Sequence, residues 1–181
     1  MALETPGYKV LEKEAPFEIR SYETYIAATV MLDDVSFEQA SNQGFRIVAD
    51  YIFGNNTKRD KVAMTAPVIQ TQVSTSEKIA MTAPVNLSQT AHNRYENSFV
   101  MPRQYTLETL PEPNNKEVAL SIVQTARRAT LSFRGNTSKN QVAKMNAALK
   151  AWTEKKGLGT SGNVISCQIQ SAICTCVYTK K

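Results

Sequence analysis

Lys61-Val-Ala-Met-Thr-Ala-Pro-Val68 recurs seventeen residues later as Lys78-Ile-Ala-Met-Thr-Ala-Pro-Val85. The stretch between them, Ile69 to Glu77, is rich in Thr, Ser and Gln with β-branched residues. The pattern predicts two extended segments joined through a polar turn near residues 74–76. Each proline closes a strand or marks an edge, because it has no N–H to give to a ladder. The residue before each proline is pushed toward extended backbone.

A wider duplication surrounds this repeat. Ser36-x-x-Gln39 and Ser138-x-x-Gln141 both read as capping boxes at helix starts. The first opens an apolar stripe of Phe37, Ala40, Gly44, Val48 and Tyr51, with Phe45 and Ile52 beside it. The second opens Val142, Met145, Leu149 and Trp152. The i, i+3, i+4 and i+7 spacing puts each set on one helix face. Gly54 and Gly157 are placed to end the helices, giving each a length of roughly 27 Å at 1.5 Å per residue.

Strand-like segments precede each helix: Tyr8–Lys13, Phe17–Tyr22 and Tyr25–Leu32 before the first, Val118–Gln124 and Ala129–Phe133 before the second. Two pseudo-equivalent β-β-α-β-β halves follow from this order. Residues 86–116, with Pro102, Pro111, Pro113 and the polar run from Ser88 to Asn97, read as the link between them. Its apolar island, Phe99-Val-Met101, reads as a strand.

The chain has 181 residues, 42% hydrophobic and 20% charged, which fits one globular domain over 1–181. The net charge of +5 comes from dispersed basic residues, with no arginine-rich arm, so nucleic-acid binding is not expected. The longest apolar run, Ile26 to Leu32, falls far short of the ~20 residues of a membrane span. MALETPGYKV carries no secretory pattern, and a cytoplasmic monomer is expected. The three cysteines, Cys167, Cys174 and Cys176, match neither a disulfide framework nor a common zinc spacing. The single histidine, His92, lies in a polar stretch, and a nucleophile–base arrangement needs a base held beside it. With no P-loop or Gly-x-Gly-x-x-Gly, binding rather than catalysis is expected. Asp33-Asp34 fits the favourable negative charge at a helix N-terminus.

Several of these motifs resemble the SOUL haem-binding protein family. The resemblance rests on Tyr-Ile-Phe-Gly-Asn-Asn at 51–56 and the doubled Met-Thr-Ala-Pro-Val. It continues through Phe99-x-x-Pro102, Leu-Pro-Glu-Pro at 110–113 and Phe133-x-Gly135, and spans residues 8 to about 165. It implies a distorted antiparallel β-barrel with two long helices outside, and non-covalent binding of haem or another tetrapyrrole in an apolar surface cleft, without enzyme chemistry.

The first helix lines the cleft in such proteins, so the residues implied are Phe45, Val48, Ala49 and Ile52, with Arg46 and the run Lys58-Arg59-Lys61 as partners for propionates. The same apolar positions also fit an ordinary core stripe. The places where animal members offer cations are Asn42 and Asp50 here, and Asp50 repels a carboxylate. No histidine falls in the helix. Met64 and Met81 are thioethers better read as packing than as haem ligands.

Residues 166–181 depart from the family. They carry no proline, whereas the family ends in a proline-rich segment with paired arginines. Degenerate back-translation read one base later permits Tyr-Asn-Pro-Pro-Phe-Val-Pro-Ala-Phe-Ile-Arg-Arg. The tail thus reads as shifted in frame near Ile165, against the rival of a divergent but genuine strand. The alternative function is a non-haem small-molecule or partner-binding module of duplicated strand-helix type, since fold alone does not choose a ligand.

Overall fold

The computed structural model describes residues 4–58, 76–82, 85–91, 93–134, 138–169 and 172–179. Its elements run β1 (Tyr8–Glu14), β2 (Phe17–Tyr22), β3 (Tyr25–Leu32), α1 (Phe37–Ile52), β4 (Asn56–Thr57), β5 (Val85–Ala91), β6 (Arg94–Val100), β7 (Glu112–Pro113), β8 (Ala119–Val123), β9 (Ala126–Phe133), α2 (Lys139–Lys155), β10 (Thr160–Ile169) and β11 (Ala172–Thr179). The fold is α+β. Nine strands form one sheet in the order β1-β2-β9-β11-β10-β5-β6-β3-β8, and β4 pairs with β7. All of these pairings are antiparallel. No pairing among the described residues joins the two edges, β1 and β8.

Side chains alternate across a strand, so each strand of the sheet serves two faces. On β3, Ala28, Val30 and Leu32 enter a core with Val48, Tyr51 and Ile52 of α1 and with Tyr95 and Phe99 of β6. On β2 and β9, Ile19, Ala129 and Leu131 pack with Leu149 and Trp152 of α2. Phe17 stacks on Trp152 with ring centroids 4.9 Å apart and planes 5° apart. The helices therefore cover one alternation of the sheet, and the other alternation faces away from them.

Helix α1 starts where its cap dictates. Ser36 Oγ accepts from the N–H of Gln39 at 3.2 Å, and Gln39 Oε1 accepts from the N–H of Ser36 at 2.9 Å. Ser138 Oγ likewise accepts from Gln141 N–H at the start of α2. The helices are 16 and 17 residues long, slightly shorter than the spacing predicts. Gly54 (φ 123°) and Gly157 (φ 67°) follow their last turns, backbone that L side chains adopt at a cost.

The stretch read as a link over 86–116 is corrected: it contains most of β5 and all of β6, turning through Asn93 at φ 54°. The second copy of the repeat is not a strand over 78–82. The backbone of this segment instead bonds to α1, and strand pairing begins at Val85. The first copy, 61–68, lies outside the described residues. Residues 166–169 and 172–179 lie deep in the sheet order: β11 pairs with β9 on one side and β10 on the other, and β10 with β5.

Candidate functional site

Helix α1 divides the expected site residues between two environments. Val48 and Ile52 are fully buried in the core, and Ala49 is also buried. Phe45 is 39% exposed and Phe53, directly after the helix, is 57% exposed. Arg46 is exposed. Phe45, Ala49 and Phe53 are spaced i, i+4 and i+8, so they share a stripe about 12 Å long. The inner edge of this stripe is held by Phe99, whose ring lies 5.4 Å from that of Phe45 at 50°.

The end of α1 is fixed from three directions. Tyr51 hydroxyl donates to the carbonyl of Pro111 at 2.9 Å. Asn56 Nδ2 donates to the carbonyls of Tyr51 and Glu77, both at 2.8 Å, while Asn56 Oδ1 accepts from Glu77 N–H at 2.9 Å. Ile79 N–H donates to the carbonyl of Ile52 at 2.9 Å, and Ile79 is buried in the α1 core. Asp50 is exposed, and its Oδ2 accepts from Asn55 Nδ2 at 2.6 Å. Met81 is half-buried and Lys58 exposed. Arg59, Lys61, Met64 and His92 lie outside the described residues.

The fit of this stripe to a tetrapyrrole is partial and specific. Two exposed phenyl rings with a small alanine between them offer a platform for a flat apolar face, and Arg46 stands beside it for a carboxylate. Helix α1 contains no His, Cys or Met, and its Tyr51 hydroxyl is committed to Pro111. The stripe itself therefore holds no His, Cys or Met that could ligate the metal of such a molecule.

A family model described as "SOUL heme-binding protein" matches residues 3–77 and 69–171. The chain belongs to the SOUL haem-binding protein family. Human Heme-binding protein 2 is 37% identical over 71 residues, which are 37% of this chain and 35% of that protein, so the match spans about a third of the relative. Three solved structures from Listeria innocua are similar in fold. Two are described as hydrolases, with TM-scores of 0.57 and 0.55, identities of 12% and 10%, and coverage of 94% and 91% of each chain. The third, an uncharacterised conserved protein, has a TM-score of 0.53 at 12% identity and 91% coverage of each chain. At these identities the likeness is one of fold alone.

The sheet face turned away from α1 holds a feature that the SOUL motifs do not mark. A cavity of about 290 Å³ lies there. Its floor includes Asn86, Ser88, Ser98 and Arg128, all buried, and Glu96 is half-buried within it. Burial raises the Glu96 carboxyl above its ordinary range. Arg128 Nη2 donates to Tyr25 hydroxyl at 3.0 Å, and the guanidinium lies 4.9 Å from the centre of the Tyr22 ring. Sequence reading missed these residues. The available signal was the alternation of apolar and polar residues through 85–88.

A groove of about 420 Å³ runs between the N-terminal residues 4–7, the start of β3 and the loop 101–108. Tyr105, beside it, is raised above the usual phenol range by burial and by donating to Glu77 Oε1 at 2.8 Å. Among the described residues no cluster of three or more His, Cys, Asp or Glu could hold a metal ion. No described helix is long and apolar enough to cross a membrane.

Proposed function

We propose that the chain binds haem or another tetrapyrrole reversibly on the Phe45–Ala49–Phe53 stripe of α1, as a carrier or buffer that leaves the ligand chemically unchanged. The supporting observation is the pair of exposed phenylalanines flanking a buried alanine on a member of a haem-binding family. Arg46 pairs with a propionate at the rim. Val48 and Ile52 contribute from beneath, by fixing the helix on the sheet.

The same reading takes the two β-β-α-β-β halves as copies of one unit, curved into a distorted barrel. The strand order supports it: without β1, the order reads the same from either end when β2 exchanges with β8, β3 with β9, β5 with β10 and β6 with β11.

The test is titration with haemin followed by Soret absorbance, beside metal-free protoporphyrin followed by fluorescence. Both ligands should saturate one site with similar affinity, because the platform supplies no axial ligand. The double variant Phe45→Ser/Phe53→Ser should weaken both by roughly tenfold or more, about 1.4 kcal/mol or above. Its thermal transition should stay cooperative. Unchanged affinity in that variant would place the ligand elsewhere.

A further inference from the structure

The cavity behind the sheet is built from strands, and the register sets its layout. Met31 of β3 stands directly opposite Glu96 of β6, and Glu96 opposite Ser88 of β5. Thr29 stands opposite Ser98, and Tyr25 opposite Val123 of β8. Met31 lies six positions along β3 from Tyr25, about 20 Å at ~3.3 Å per residue. The two charged groups of the cavity therefore lie toward opposite ends, Arg128 near Tyr25 and Glu96 near Met31. Ala119 and Ser121 of the edge strand β8 are exposed and form the mouth.

The two ends are not equivalent. The Arg128 charge is met within the protein, by the Tyr25 hydroxyl and the faces of Tyr22 and Tyr25. Glu96 has no such partner: no ion pair to it is found among the described residues. The nearest arginine in sequence, Arg94, turns to Asp33 instead, with Nε 3.0 Å from Oδ1. A half-buried carboxylate without a cation pays a desolvation cost that an incoming ammonium group would relieve. Met31 and Ile165 give apolar walls near Glu96, and Val123 gives one at the Tyr25 end. Asn86, Ser88 and Ser98 are buried polar side chains facing a void, a position that calls for a polar guest or water.

We propose that this cavity is a second binding site, for a small organic amine whose ammonium group sits against Glu96 and whose apolar body lies toward Tyr25. It is separate from the α1 stripe, because the two lie on opposite faces of the sheet. A guest of about a dozen non-hydrogen atoms suits a volume at the lower end of ligand pockets.

The experiment is calorimetric titration of the whole chain with tryptamine, 3-ethylindole and indole-3-propionate, which share a ring system and differ in charge. Tryptamine should bind one-to-one, and the neutral and anionic analogues at least tenfold more weakly. Glu96→Gln should erase the preference for tryptamine while leaving haemin binding intact. Ser121→Trp, at the exposed mouth, should block tryptamine without disturbing the buried floor. Tryptamine binding that survives Glu96→Gln would overturn the proposal, as would a preference for indole-3-propionate or no binding of any analogue to protein with a cooperative thermal transition. Phe45→Ser/Phe53→Ser should leave tryptamine binding unchanged, so failure at one site is distinguishable from failure at the other.

Discussion

A Cβ placed on Gly44 of α1 would lie 2.6 Å from the Cβ of Asn97 on β6. The helix therefore rests on the sheet at a distance only glycine allows, and Asn97, 1% exposed, has no room to retreat. This contact sets the depth at which Val48 and Ile52 enter the core and the height at which Phe45 stands above it. Gly44→Ala should destabilise the fold by about 1–3 kcal/mol, the range of overpacked cores, despite the gain of ~1 kcal/mol in helix propensity. Urea unfolding measures it. Gly44→Ala/Asn97→Gly should lose less than the sum of the single variants; strict additivity would show that the close approach is not what constrains position 44.

Two positions at the end of α1 separate stability from binding. Ile52 is 1% exposed and Phe53 is 57% exposed, one residue apart. Ile52→Ala should cost about 2–5 kcal/mol, the range for large-to-small core changes. Phe53→Ser should change stability by no more than ~0.5 kcal/mol, as surface substitutions do, yet weaken haemin binding. Thermal melts and Soret titrations of the two variants provide the comparison; the reverse assignment of effects would remove Phe53 from the platform.

The elements that sequence reading placed well are those with a local cause. Ser36 and Gln39 announce α1 by satisfying its first N–H groups, and Phe17–Tyr22 and Tyr25–Leu32 are bounded as the residues predict. β5 and β6 were hidden for a physical reason. Asn86, Ser88, Glu96 and Ser98 face a cavity inside the fold, so the strands bear polar residues on a buried face and resemble a linker in composition. The candidate stripe on α1 was half legible: the apolar positions were visible, but which of them would be covered depended on Asn97, Phe99 and Ile79, distant in sequence.

Two carboxylates should give opposite signs in the pH dependence of stability. Burial pushes Glu18 up, but hydrogen bonds and charge from Arg20 and Lys13 outweigh it, and the group is held below the ordinary glutamate range. Arg20 Nε donates to Glu18 Oε2 at 2.8 Å. A lowered folded value means a stabilising contribution that is complete above the unfolded value, ~4.3, and is lost as pH falls through the folded one. Glu96 is raised, so its contribution runs the other way: a cost appears as pH climbs above ~4.3 and is complete once the folded value is passed. Met31 and Ser88 face Glu96 from the adjoining strands, and Arg128 is the other charged group of the cavity. Glu96→Gln should therefore raise Tm at pH 7 and leave it nearly unchanged at pH 3.5. Glu18→Gln should lower Tm at pH 7 with a smaller effect at pH 3.5. Thermal melts at the two pH values read both, and a matching sign for the two variants would contradict the assignments.

The atypical tail can be tested through its place in the sheet. β11 pairs with β9 from Ile173 opposite Phe133 to Tyr178 opposite Arg128, and its other edge pairs with β10. A strand with neighbours on both sides must donate from its backbone along its length, and proline cannot. Residues 172–179 as they stand contain no proline, whereas the shifted-frame segment carries three. A chain ending at Ile165 would leave β9 unpaired on one side and β10 truncated, two open edges that favour association between molecules. This shortened chain should aggregate and show no cooperative thermal transition, while the full chain melts in one step. A chain carrying the shifted-frame tail should not restore the β9–β11 pairing, readable as loss of slow amide exchange at Ala129 and Leu131. If the shortened chain instead melts as the full one does, the hairpin of β10 and β11 contributes nothing to the fold, and the frame-shift reading of residues 166–181 is the better account of their composition.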